Sequence, residues 1–135
     1  MRIKGTVTKD GKFWLIEFPL LNAMTQGKTR KEALLMGADW VESDIDQPGF
    51  KAEVTYEGHG IVSLTCNDDT TLLALMLRRL RQQSGLSLIQ VGERLGNRSP
   101  NAYGRYEQGK ASPTIAKLNE LVRAVAPDRE LALSI

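Results

Sequence analysis

A chain of 135 residues suits one compact domain or two very small ones. Its 41% hydrophobic and 25% charged residues exclude a disordered or fibrous class. No apolar run approaches the ~18 residues that cross a bilayer, and the N-terminus lacks a signal-peptide core, so the expected location is cytoplasmic.

The single cysteine, Cys66, cannot close an internal disulfide, and one Cys with one His, His59, argues against a zinc site. No metal or other cofactor is expected. The net charge of +2 is unevenly spread. Residues 1–67 hold 8 basic and 9 acidic residues, and residues 68–135 hold 10 and 7. Between Leu72 and Lys117 there are 8 basic residues against 2 acidic, a net +6. A segment that basic is drawn to a polyanion, although charge alone describes a solvated basic face equally well.

In chain order, Ile3, Gly5 and Val7 alternate with Arg2, Lys4, Thr6 and Thr8, the period of a strand. Lys9-Asp10-Gly11-Lys12 supplies a turn, and Phe13 to Phe18 is the returning strand, stopped by Pro19. Trp14, Ile16 and Phe18 share one face; Phe13 and Leu15 share the other. Thr29 to Glu32 fits a capping box, and Leu34, Ala38, Val41 and Ile45 follow at helical spacing until Gln47-Pro48-Gly49. Ala52, Val54 and Tyr56 alternate with polar residues, and Glu57-Gly58-His59-Gly60 turns into a short strand, Ile61 to Cys66. His59 is expected in an exposed turn, and Cys66 as a small buried hydrophobe. The polar run Asn67 to Thr70 is the best domain boundary.

Beyond it the pattern is helical. Leu72 to Gln83 is one helix, and a second, capped by Ser87, runs to Leu95. A third opens at Ser99-Pro100, with Ser99 as cap and Pro100 at the first helical position, and ends at Gly109. A fourth opens at Pro113 or Thr114 and is limited by Pro127. The tail Leu131, Leu133, Ile135 alternates, which predicts a short edge strand that pairs with a second copy of the chain.

Leu80 to Ser87, Val91 to Gly96, Tyr106 to Lys110 and the later Pro113 together resemble the Cro/cI-like (XRE) helix-turn-helix family over roughly residues 70–126. The resemblance implies a core of Leu80, Leu86, Val91, Leu95, Tyr103, Tyr106, Ile115, Leu118, Leu121 and Val125, with Glu107 facing Arg81. It implies that the third helix enters the major groove of duplex DNA. With Tyr103 and Tyr106 inward, Asn101, Ala102, Arg105 and Gln108 face outward. Asn and Gln suit adenine and Arg suits guanine. Arg98, Ser99 and Lys110 are placed for phosphate. Leu88 stands where many relatives carry a polar residue, Gly92 where Ala is commoner, and the spacing from Gly96 to Glu107 is one residue long.

In the first half, Phe18-Pro19 and Thr25-Gln26-Gly27-Lys28-Thr29-Arg30-Lys31-Glu32-Ala33 resemble the HicB-like antitoxin domain. That resemblance implies a partly degenerate ribonuclease H-like fold that covers the active site of a small ribonuclease toxin, HicA, while the second domain represses the operon. Metal-dependent ribonuclease H chemistry needs carboxylates around two cations. The expected first strand, Arg2 to Thr8, has none, and Asp39, Glu42, Asp44 and Asp46 lie on or just after a helix, so no enzyme activity is expected.

The expected class is therefore α+β: a small N-terminal antiparallel sheet with one helix at residues 1–67, then a bundle of about four helices and a short C-terminal strand at 68–135. The expected function is a HicB-type antitoxin, dimeric or a dimer of dimers, that binds operator DNA. Phe13, Leu15 and Trp14 are the candidate toxin contacts, with core packing as the alternative for Trp14. The rival is a helix-turn-helix transcription regulator whose first half dimerises or senses a ligand.

Overall fold

The computed structural model describes residues 1–96 and 101–135. The chain forms two compact units, Met1–Asp69 and Thr70–Ile135, and its class is mixed α+β.

The first unit is a sheet with a helix on one face. Strands β1 (Ile3–Asp10) and β2 (Phe13–Phe18) form a hairpin around Gly11, whose φ of +61° suits a residue without Cβ. A single 3-10 turn, Pro19–Leu21, then reverses the chain; Asn22 closes it in the left-handed region and donates its N–H to the Pro19 carbonyl at 3.0 Å. Strand β3 (Ala23–Gly27), helix α1 (Arg30–Ile45) and strands β4 (Ala52–Gly58) and β5 (Ile61–Cys66) follow. The five strands run in the order β3-β2-β1-β5-β4, and every neighbouring pair is antiparallel.

The alternation read from β1 holds: Ile3, Gly5 and Val7 are buried and the residues between them are exposed. The sequence reading found four of these strands and missed β3. Ala-Met-Thr-Gln-Gly is short and has one β-branched residue, so local preference for a strand is weak. Its pairing with β2, with Ile16 opposite Thr25, holds it extended.

Thr29 caps α1, its Oγ1 accepting the Glu32 N–H at 3.0 Å. The buried row is Ala33, Gly37 and Val41, with Leu34, Ala38 and Ile45 half-buried on a flank. The expected stripe of Leu34, Ala38, Val41 and Ile45 is thus rotated. Close approach explains it: a Cβ on Gly37 would lie 3.1 Å from Ile16 Cδ1 and 3.5 Å from Val54 Cγ2, so the smallest residues face the sheet. Gly27 does the same for the start of the helix. A Cβ there would collide with the Ala33 backbone nitrogen, which gives a packing reason for glycine in the Thr-Gln-Gly segment. His59 is exposed in its turn at φ +53°. Cys66 is half-buried, and burial pushes its thiol pKa up.

The second unit contains α2 (Asp69–Gln83), α3 (Leu88–Arg94), α4 (Gly104–Glu107) and α5 (Ile115–Val125). A complete capping box starts α3: Ser87 Oγ accepts the Gln90 N–H at 3.1 Å, and Gln90 Oε1 accepts the Ser87 N–H at 2.8 Å. Thr114 starts α5 by accepting the Lys117 N–H at 3.1 Å. The carbonyls at the end of α5 are satisfied from other elements, Val125 by the Ser84 hydroxyl and Ala124 by Arg94 Nη1 at 3.1 Å. Leu80, Val91, Tyr103, Leu121 and Val125 are buried, while Leu86, Leu95, Tyr106 and Leu118 are half-buried. Ile115, expected in the core, is 65% exposed, because the first turn of α5 extends past the buried row of Leu121, Val122 and Val125.

The expected C-terminal strand is absent: residues 131–135 have no regular secondary structure. Alternation supplies a face, but a strand also needs a neighbour to satisfy its N–H and C=O groups. Among the described residues no strand pairs with the tail. No helix among the described residues is long and apolar enough to cross a membrane.

Candidate nucleic-acid interface

Helix α4 has only 4 residues, too few to hold itself by its own ladder. An ion pair fixes it. Arg81 on α2 donates from Nε to Glu107 Oε1 at 3.0 Å and Oε2 at 2.9 Å, and from Nη1 to the Leu86 carbonyl at 2.9 Å. One guanidinium thereby ties α2, the turn before α3, and α4 together. The Glu107 side chain is only 6% exposed and Arg81 17%. Burial raises the Glu107 pKa, and Arg81, then Arg78, pull against it.

Two other residues complete the seat. Gly109 ends the α4 segment at φ +71°, and a Cβ there would lie 3.8–3.9 Å from Thr71 and Ala74 of α2. Tyr103, immediately before α4, is 1% exposed. Its hydroxyl is buried without a hydrogen-bond partner among the described residues. Burial and then the Glu107 charge hold the Tyr103 pKa well above the usual phenol range, while Arg81 opposes.

With Tyr103 and Gly104 buried, the outward row of this segment is Asn101, Arg105 and Gln108, all exposed, followed by exposed Lys110. Spacings of four and three put the first three on one helical face. The Arg105 N–H reaches the Asn101 carbonyl at 3.3 Å and the Gln108 N–H the Gly104 carbonyl at 3.0 Å, so the turn is continuous from 101 to 108. Ala102 is half-buried beside this row. Arg98 and Ser99, and the Ser99-Pro100 helix start, lie outside the described residues. The row carries two planar amides and a guanidinium, groups able to make paired hydrogen bonds to base edges.

The sequence reading missed Gln90, although Ser87-x-x-Gln90 is a capping-box pattern visible in the sequence. It also passed over Ile89. Together with Leu88 it forms an exposed apolar pair, at 61% and 40% exposure, on the first turn of α3. Arg94, basic and surface-lying, is engaged at the end of α5 and is a positioning residue in this unit.

In the first unit, Phe13 is 41% exposed and Leu15 half-buried, both on the sheet face away from α1. Trp14 is half-buried and points to the opposite face with Ile16 and Phe18. The structure therefore brings Phe13 and Leu15 together and separates Trp14 from them. Leu15 lies opposite Thr8 and Gln26, and Met24, opposite Glu17, is 60% exposed. Asp39 is exposed, and Glu42 accepts the Ala52 N–H at 2.9 Å, a structural tie between α1 and β4.

Residues 72–133 match the model of a helix-turn-helix domain family. That span contains α3, α4, α5 and most of α2, so the C-terminal part of the chain is similar to a helix-turn-helix domain. No curated protein matches the chain.

Proposed function

We propose that the protein is a DNA-binding regulator that reads duplex DNA with the α4 segment. The observation that carries this reading is the exposed row Asn101, Arg105 and Gln108, seated by the buried Arg81–Glu107 pair inside a helix-turn-helix domain. In this reading Asn101 and Gln108 pair with adenine, Arg105 with guanine, and Ala102 meets a thymine methyl. Lys110, with Arg98 and Ser99, grips phosphate. Two copies engage a palindromic operator, each reading one half-site.

A gel shift on DNA from the region preceding the gene tests this. Arg105→Ala should weaken binding and relax discrimination at one base position, a loss of about 1–3 kcal/mol. Lys110→Ala should weaken all sequences alike and lower the salt slope by about 1. If both variants bind as the parent does, α4 is not the reading element.

The finer reading within this one is a HicB-like antitoxin without enzyme activity. It is supported by the Thr25 to Ala33 signature and by a sheet face that leaves Phe13 exposed. The N-terminal unit then covers the active site of a small basic ribonuclease. Co-purification with the product of a neighbouring short gene should be lost on Phe13→Asp while operator binding persists. RNA cleavage by the purified protein with Mg²⁺, abolished by Asp44→Asn, would refute the non-enzymatic part.

A further inference from the structure

The two edges of the sheet differ in what they permit. Edge strand β4 carries exposed Glu53 and Glu57 and a register shift between Tyr56 and Gly58. Charge and irregularity on an edge discourage a further strand. Edge strand β3, five residues long, has no charged residue and pairs with β2 in unbroken register. The flank of α1 above it is apolar: Met36 is 38% exposed, and half-buried Trp40 lines a narrow cleft with Ala23 and Thr25. The helix thus presents apolar surface beside the β3 edge, where no strand lies among the described residues.

The chain also contains a segment that matches this edge. Residues 131–135 are five in number, uncharged, and alternate Leu131, Leu133 and Ile135 with Ala132 and Ser134. They pair with no strand among the described residues; Leu133 is 75% exposed and Ile135 fully so. We propose that residues 131–135 of one copy add as a sixth strand to β3 of a second copy, each tail on the other's edge. The main chain supplies the hydrogen bonds, and the leucines and isoleucine pack beneath Met36 and Trp40. A reciprocal exchange is isologous, so it closes as a two-fold dimer and leaves no free edge of this kind. This inference concerns assembly and stands whether or not α4 reads DNA.

Sedimentation of the full chain against a chain ending at Arg129 tests it. The dimer dissociation constant should rise at least tenfold on truncation. Thr25→Lys, which turns a charge inward at the middle of β3, should weaken the dimer comparably with the tail intact, circular dichroism confirming the fold. In a Cys66→Ser background, chains carrying Thr25→Cys mixed with chains carrying Leu133→Cys should form a disulfide-linked pair, since both positions are central in their five-residue segments whichever way the strands run. A truncated chain that dimerises as tightly as the full one overturns the proposal. So does a tail-dependent dimer in which no cross-link forms, or a doubly substituted chain whose disulfide closes within one copy.

Discussion

In the N-terminal unit a long helix meets the sheet through Ala33, Gly37 and Val41, close enough that a Cβ on Gly37 would press on Ile16 and Phe18. In the C-terminal unit a helix of 4 residues is seated by one buried ion pair, and the end of α5 is held by side chains that reach its carbonyls from other elements. The first arrangement is governed by volume and the second by charge. A dense interface tolerates polarity changes at its rim and resists an added methyl group. An interface built on a desolvated ion pair behaves the other way: it accepts small changes in volume and fails when one charge loses its partner.

The largest effect should come from separating the charges. Arg81→Met leaves the Glu107 carboxylate buried without its guanidinium, and loss of one partner of a buried pair costs about 3–5 kcal/mol. Denaturant unfolding of the isolated second unit or of the whole chain would read it. The double variant Arg81→Met, Glu107→Gln should recover most of the loss, which distinguishes an orphaned charge from lost packing. The pH dependence has a definite sign. Burial raises the folded-state pKa of Glu107 above that of the unfolded chain, so the folded state holds this proton more tightly. The contribution is fully present below the unfolded pKa and is lost as pH rises through the folded value. Glu107→Gln should remove that segment of the stability profile.

Next in size is the corresponding test of volume. Gly27→Ala places a Cβ against the backbone nitrogen of Ala33. Backbone cannot swing aside as a side-chain tip can, so a loss of about 2–3 kcal/mol is expected, confined to the first unit. Gly5→Ala should behave similarly, because its Cβ would meet Phe18 Cδ1 at 2.6 Å and the Glu17 carbonyl oxygen. Neither change should affect unfolding of the second unit if the two units melt separately.

Much of this arrangement is legible from residues alone. Strands β1, β2 and β4 follow from alternation, since a sheet covered on one face imposes period two, and β5 follows from the glycine turn that precedes it. The helix starts at Thr29 and Ser87 follow from hydroxyls able to accept an N–H at the third residue on, while the start of α5 is narrowed from Pro113 or Thr114 to Thr114 by the hydrogen bond it accepts from the Lys117 N–H. The Arg81–Glu107 contact was expected from the helix-turn-helix resemblance, and no local rule would have linked residues 26 apart. What escaped is tertiary in origin. Strand β3 is held by its neighbour, and the rotation of α1 depends on how closely it approaches Ile16 and Val54. The tail shows the converse: its period is a strand's, yet among the described residues no strand pairs with it.

A smaller and opposite effect is expected at Tyr103. Its hydroxyl is buried and finds no partner among the described residues. A buried polar group without a hydrogen bond is a net cost, so Tyr103→Phe should raise stability by about 1 kcal/mol. The gain would be read as a higher midpoint at unchanged m-value. A loss would mean that the hydroxyl is satisfied, and the seat of α4 would then rest on more than Arg81, Glu107 and Gly109.

The sharpest comparison uses one substitution in two places. Gly37 and Gly92 are both helical, in α1 and α3 respectively, and neither has a positive φ. Without neighbours, Gly→Ala in a helix gains roughly 0.5–1 kcal/mol, because the unfolded chain loses freedom. At Gly92 a Cβ would find nothing within 4 Å, so Gly92→Ala should show nearly the full gain. At Gly37 the same Cβ lies 3.1 Å from Ile16 Cδ1 and 3.4 Å from Phe18 Cε2. The Ile16 tip can yield a little, but the ring and Val54 stand behind it, so Gly37→Ala should fall short of the Gly92→Ala gain or turn into a loss. Thermal unfolding of the two variants side by side gives the difference directly. Equal gains at both positions would show that α1 can lift from the sheet without cost, and the contrast between a volume-limited and a charge-limited unit would collapse.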